Sequence, residues 1–133
     1  MFTLKVMPRF YETDAFRHIN NTVVAGWFET AREPIFRIFA PSMQPQDLPL
    51  ILARIEVDFV AQIHYGDEVT IETGIAAIGN SSFVVRHTAF QGGREVARGQ
   101  AVQVHFDWQS AASAPLTEAL RAQLAVHLLP AES

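Results

Sequence analysis

Apolar and polar positions alternate with a period of two near the start of the chain and through most of its second half, with a helical period between. Phe2, Leu4 and Val6 interleave with Thr3 and Lys5, which predicts a strand over residues 2–7. Residues 8–19 carry Pro8 with charged and aromatic side chains in no period and read as a loop. From Thr22 onward Val24, Trp27, Phe28, Ala31, Ile35 and Ile38 recur at helical spacing, with Asn20 or Asn21 placed to cap the first turn. Pro34 lies inside that run and predicts a kink or break near Glu33, because proline removes a backbone donor and crowds the preceding turn. Residues 41–49, with Pro41, Pro45 and Pro49, read as a second loop.

Alternation then returns. Ile51, Ala53, Ile55, Val57 and Phe59 are expected on one face of a strand over residues 51–60, and Val69, Ile71, Thr73 and Ile75 on one face of another over 68–78. Residues 82–90 and 94–106 form two more, joined by a hairpin turn at Gln91-Gly92-Gly93. Leu116, Leu120, Leu124 and Leu128, each four apart, make the apolar stripe of a last helix. Successive strands with short turns imply an antiparallel sheet, and one early apolar helix covers a face of it, giving an α+β domain. No repeat, low-complexity tract or linker divides the chain, so a single domain is expected over 1–133. Val84 and Phe90 alternate with Phe83 and Val85, leaving apolar side chains on the sheet's other face and predicting association with a second subunit.

Composition narrows the function. An apolar content of 49% in 133 residues supports one real core. No run approaches the ~18 apolar residues of a membrane span, and the N-terminus lacks a secretory pattern, so a cytoplasmic protein with no membrane partner is expected. With no cysteine there is no disulfide, thiolate nucleophile or cysteine-held zinc. A net charge of -4 argues against nucleic acid as a partner. The basic residues are nearly all arginine, whose fork suits phosphate, so a phosphorylated small molecule fits.

Arg9, Glu12, Thr13, Asp14, Arg17, His18, Asn20 and Asn21 crowd the loop that runs into the long helix. A loop of this kind brings together a carboxylate, an imidazole and the free N–H groups at the positive end of a helix dipole. Such N–H groups stabilise the oxyanion formed when a carbonyl is attacked. The plainer reading is that Asp14 shapes a turn and Asn20 caps the helix.

The stretch Arg9-Phe-Tyr-Glu-Thr-Asp14-Ala-Phe-Arg-His18-Ile-Asn-Asn21 resembles the signature of the 4-hydroxybenzoyl-CoA thioesterase-like branch of the hotdog superfamily. The likeness continues in Trp27-Phe28-Glu29-Thr-Ala-Arg32, in residues 61–73, in Gly79-Asn-Ser-Ser-Phe83, in Gly93-Arg-Glu-Val-Ala-Arg-Gly99 and in Pro115-Leu116. It implies a hotdog fold, a long helix wrapped by a curved five-stranded antiparallel sheet, with a short C-terminal helix. It further implies a homodimer or homotetramer whose sites lie between subunits, an acyl-CoA substrate and no cofactor. Asp14 would be the nucleophile or would activate water, His18 and Asn20 would order the catalytic loop, and the amides from Asn20 to Val23 would polarise the thioester carbonyl. Arg17, Asn21, Thr22, Val23, Glu29, His64 and Ser82 complete the expected site by contacting substrate. Relatives usually carry glycine where this chain has Arg17, and aromatic residues where it has Val23 or Val24.

Several assignments stay open from the residues alone. Glu29 lines the acyl pocket or, with Arg32, belongs to a solvated or interface face with i,i+3 charge support. Arg54, Arg86 and Arg98 are strand arginines that suit CoA phosphates. His87 and His105 fall within strands as packed or surface residues. Asp14 and His18 have the spacing of helical metal ligands, but no third ligand follows and the loop is not helical by pattern. Two rivals remain: a hotdog hydratase or dehydratase, whose pattern resembles D-x4-H where this chain has D-x3-H, and a non-catalytic acyl-ligand binder on the same fold.

Overall fold

The computed structural model describes residues 1–131; Glu132 and Ser133, the end of the expected 1–133 domain, lie outside the described residues. The chain order is β1 (Phe2–Val6), α1 (Asn21–Ala31), α2 (Glu33–Phe39), β2 (Leu50–Phe59), β3 (Val69–Ile78), β4 (Ser82–Gln91), β5 (Arg94–Asp107), β6 (Ala112–Ser113) and α3 (Glu118–Ala125). All strand pairs are antiparallel and follow the spatial order β1-β3-β4-β5-β2, with the two-residue β6 hydrogen-bonded to β5. This is the expected α+β architecture: a curled five-stranded antiparallel sheet, one long bent helix and a short C-terminal helix.

The bend falls at Arg32. Its amide is shared between the carbonyls of Phe28 (3.1 Å) and Glu29 (3.0 Å), and Pro34 occupies the first turn of α2, where its missing N–H costs nothing. The bend divides the core. Val24, Trp27, Phe28 and Ala31 of α1 pack on Val69, Ile71, Ala89, Val96 and Ala97, while Ile35 of α2 meets Leu50, Ile75, Phe83, Val85, Ala101, Leu116 and Leu124.

Three expectations about elements need correction. The strict alternation read along residues 51–60 is broken by a bulge between Leu52 and Arg54. A bulge inserts one residue and reverses the phase. Leu52 stands opposite buried Gln103, and beyond the bulge Ile55, Val57 and Phe59 stand opposite the buried positions Ala101, Gly99 and Ala97. Ile51, expected on their face, therefore points the other way. The hairpin turn is Gly92-Gly93 alone, both at positive φ (61° and 77°) as a tight two-residue turn requires, and Gln91 is the last residue of β4. The leucine stripe outruns its helix: Leu116 precedes α3, and Leu128 lies beyond it, bridged in parallel to Ile75 along the edge of β3.

β2 is an edge strand and its two faces are largely bare. Leu52, Ile55, Phe59 and the following Val60 are 43–52% exposed. No helix among the described residues is long and apolar enough to cross a membrane.

Candidate active site

Residues 8–20 fold back on themselves before the helix begins. Phe10–Glu12 make one 3-10 turn, and Thr13 bridges Ile19 in an isolated antiparallel pair. Asp14 closes the tip: its amide donates to the His18 carbonyl (3.0 Å), its carbonyl accepts from the Arg17 amide (3.1 Å), and its Oδ1 accepts from the Phe16 amide (2.9 Å). The other carboxylate oxygen has no hydrogen-bond partner among the described residues, and Asp14 is half-buried. Arg17 sits at φ 70°, the left-handed region that glycine occupies without cost, which gives a physical reason for the glycine that the family resemblance leads one to expect there.

Glu12 ties this loop to its neighbours. One carboxylate oxygen accepts from the Arg9 amide (2.7 Å), the other from Trp27 Nε1 of α1 (3.1 Å), and its carbonyl accepts from the Asn20 amide (2.8 Å). On the other side the Ile19 amide donates to the Ile63 carbonyl (2.9 Å), and the His18 ring lies 5.4 Å from that of His64. Asp14, Arg17, His18, Asn20 and His64 are thus held in one neighbourhood by backbone bonds.

The expected oxyanion amides are mostly occupied. Asn20 caps α1, its Oδ1 accepting from the Thr22 amide (2.9 Å) and hydroxyl (2.9 Å), and its carbonyl accepts from the Val23 amide (3.0 Å). With the Asn20 amide given to Glu12, the Asn21 N–H is the one backbone donor between Asn20 and Val23 without a partner among the described residues. Asn21 also lines an open cavity of about 390 Å³ with Ile19, Val24 and residues 59–63. Phe59 and Val60, its outer wall, belong to the exposed edge. Thr22 is exposed and Val23 packs in part against the α1 core.

Two expected contacts fall elsewhere within one chain. Glu29 is exposed on α1, two turns beyond Asn21. Ser82 opens β4, whose far end is Gln91 beside His64; at ~3.3 Å per residue that separates them by about 30 Å. The arginines considered for CoA phosphates lie on the face of β2, β4 and β5 turned away from the helix. There Arg54 pairs with Glu56, and Arg98 pairs with Glu95 (3.0 Å). Arg86 and Arg98 share a hollow of about 310 Å³ with Glu56, Asp58 and Glu95, so carboxylates offset their charge. Among the described residues no three His, Cys, Asp or Glu side chains stand close enough to hold a metal ion.

A second polar cluster was not legible as a unit. Arg32, expected on a solvated or interface face, is only 3% exposed, and its Nη1 lies 3.3 Å from His87 Nε2. His87 Nδ1 lies 2.8 Å from the Thr73 hydroxyl, and the imidazole stacks on Phe28 with centroids 4.7 Å apart. Because Arg32 can only donate, His87 Nε2 must accept and Nδ1 must carry the proton. Burial, then the Arg32 charge, pushes His87 down to about 3, and burial lowers Arg32 as well, partly opposed by Glu29. His87 is a neutral acceptor at any ordinary pH.

Residues 8–124 match the family model described as the thioesterase-like superfamily. The chain belongs to the thioesterase-like superfamily. A predicted thioesterase from Bacillus stearothermophilus is 38% identical, with a TM-score of 0.93 over 96% of each chain. A thioesterase from Thermus thermophilus, solved with coenzyme A and zinc, is 31% identical with a TM-score of 0.82 over 92% of this chain and 95% of that one. An uncharacterized protein of Bacillus subtilis (strain 168), YsmA, is 29% identical over 86 residues, which span 65% of this chain and 58% of that protein. This thioesterase-like chain therefore shares its fold along nearly its whole length with proteins named for that chemistry.

Proposed function

We propose that the protein hydrolyses an acyl-CoA thioester to a free acid and CoA. The observation that carries this reading is the Asn21 N–H, without a partner among the described residues, at the start of α1 in a residue that lines an open cavity and follows the Asp14 loop. A thioester carbonyl placed in that cavity puts its oxygen at the positive end of the helix dipole, where developing negative charge is stabilised. Asp14 supplies the carboxylate that attacks the carbonyl carbon or draws a proton from an attacking water. The C–S bond breaks, the thiolate takes a proton to leave as CoA, and water provides the hydroxyl of the acid. His18 and Asn20 order the loop rather than react: His18 through its carbonyl, Asn20 through the cap.

A second copy of the chain completes the site. The cavity is walled on its outer side by exposed Phe59 and Val60, and β2 offers a ten-residue open edge with Leu52 and Ile55 also bare. Edge strands of that length and polarity pair with another strand. Pairing along β2 would continue the sheet and enclose the cavity.

Thiol release from short, long and aromatic acyl-CoAs tests the reading. Wild type should hydrolyse at least one of them. Asp14→Asn, folded and in the same oligomeric state, should be slower by about 1,000-fold, roughly 4 kcal/mol of barrier. A folded wild type that releases no thiol from any substrate, or an Asp14→Asn variant of undiminished rate, overturns it.

A further inference from the structure

Gln91 ends β4 with 7% of its surface exposed, and its amide is used in full on one loop. Its Oε1 accepts from the His64 amide (2.9 Å), and its Nε2 donates to the carbonyls of His64 (2.8 Å) and Asp67 (2.9 Å). Residues 60–68 join β2 to β3 with no regular structure, so a buried side chain supplies the bonds that a ladder would otherwise make. That loop is what the Asp14 loop rests on. The Ile63 carbonyl takes the Ile19 amide, the His64 ring lies against that of His18, and the His18 carbonyl takes the Asp14 amide.

We propose that Gln91 is a positioning residue for thioester hydrolysis: its amide fixes residues 63–67 so that Ile63 and His64 set the place of His18 and, through it, of Asp14. The inference rests on the reading of Asp14 as the hydrolytic carboxylate. A glutamine suits the place because only a side chain with an acceptor and two donors satisfies one N–H and two carbonyls together. Outer-shell groups that orient the ligands of a metal site cost about 10- to 100-fold when they are removed, and a comparable loss is expected for a group that orients a catalytic loop.

The test is Gln91→Glu, which keeps the shape and the acceptor but turns a carboxylate toward two carbonyl oxygens. Protonation returns one donor, so lost activity should recover as pH falls through the titration of that carboxyl. The other titratable groups at this place are His64 and Asp67 on the loop and Arg94 across the hairpin, all present in the wild type as well. The expected result is a kcat about 10- to 100-fold below wild type at pH 8 with KM little changed, and an acid-side recovery that wild type lacks. A folded variant with the kcat and pH profile of wild type sinks the proposal. His64→Ala, at an exposed residue, keeps it testable should Gln91→Glu fail to fold. Loss of kcat at constant KM supports positioning, whereas unchanged kinetics or a rise in KM alone counts against it. Hydrolysis by wild type that Asp14→Asn abolishes secures the underlying reading whichever way these variants behave.

Discussion

Two polar clusters sit on the long helix, one at its start and one at its bend, and they are built in opposite ways. At the start, Asp14, Arg17, His18 and Asn20 are held by backbone hydrogen bonds at the surface, one Asp14 oxygen and the Asn21 amide are left without partners among the described residues, and the nearby cavity is open. At the bend, Arg32, His87 and Thr73 are 1–3% exposed and bonded side chain to side chain, and the His87 ring stacks on Phe28. His87 at the bend is pushed well below the ordinary histidine pKa, yet nothing there has room to meet a substrate: the hollow beside it measures about 10 Å³. Perturbed ionisation marks functional sites only when an accessible cavity accompanies it. Here burial is the main cause of the shift, with the Arg32 charge second, and the proposed hydrolysis is assigned to the less buried cluster.

The largest expected effect lies in the buried cluster and appears as pH dependence of stability. His87 titrates near 3 when folded and near 6.5 when unfolded. Between those values the unfolded chain binds more protons, so stability rises with pH across that window. It is complete above about 6.5 and lost as pH falls toward 3, with an upper bound of roughly 5 kcal/mol. Urea unfolding from pH 4 to 8 should show this acid limb, and His87→Gln should flatten it. An identical acid limb in His87→Gln would mean that the carboxylates, not this histidine, govern acid stability. Arg32→Met should narrow the window, since it removes the smaller of the two causes.

Asp14→Asn comes next and sharpens the contrast from the other side. Its cost of about 1,000-fold in rate should come with a stability change within about 0.5 kcal/mol, the usual range for surface positions. A large loss of stability would make Asp14 a structural turn residue instead.

Third in size is Gly99→Ala. Gly99 lies across the ladder from His87, and a Cβ there would meet Phe28 Cε2 and the Glu56 carbonyl, each at 2.8 Å. The missing side chain is what lets the Phe28 ring lie over His87. Overpacking should cost about 1–3 kcal/mol in urea unfolding and disturb the stack. A neutral Gly99→Ala would show that α1 can lift from the sheet without penalty.

How far the sequence disclosed these features follows from the range of each signal. Strand alternation, the Gly92-Gly93 turn, the Asn20 cap and the break ahead of Pro34 are local, and all were legible within a few residues of themselves. The bulge at Ala53 was not, because Leu50 to Ala53 are all apolar and hide the change of phase, which shows only against a partner strand. Leu128 continued the stripe of α3 by spacing but serves an edge bridge, which requires knowing where β3 runs. The polar loop around Asp14 was visible as a dense cluster in one stretch. Arg32 and His87 lie 55 residues apart, and Gln91 and His64 lie 27 apart, so register alone brings them together.

The smallest expected effect returns to the Asp14 loop. Arg17 holds φ 70°, where an L side chain crowds its own backbone by about 1 kcal/mol relative to glycine. Its guanidinium has no ion pair among the described residues and is exposed, so little is lost with it. Relief of strain and the larger backbone entropy of an unfolded glycine oppose each other, and because the native conformation is left-handed the relief should prevail. Arg17→Gly should therefore raise stability by up to about 1 kcal/mol. The same substitution separates two uses of the side chain. If Arg17 contacts an acidic or phosphorylated part of the substrate, KM should rise for acyl-CoA and the salt dependence of KM should weaken, while kcat holds. A variant that is more stable and kinetically unchanged would show that the arginine occupies a glycine's place without a role in binding.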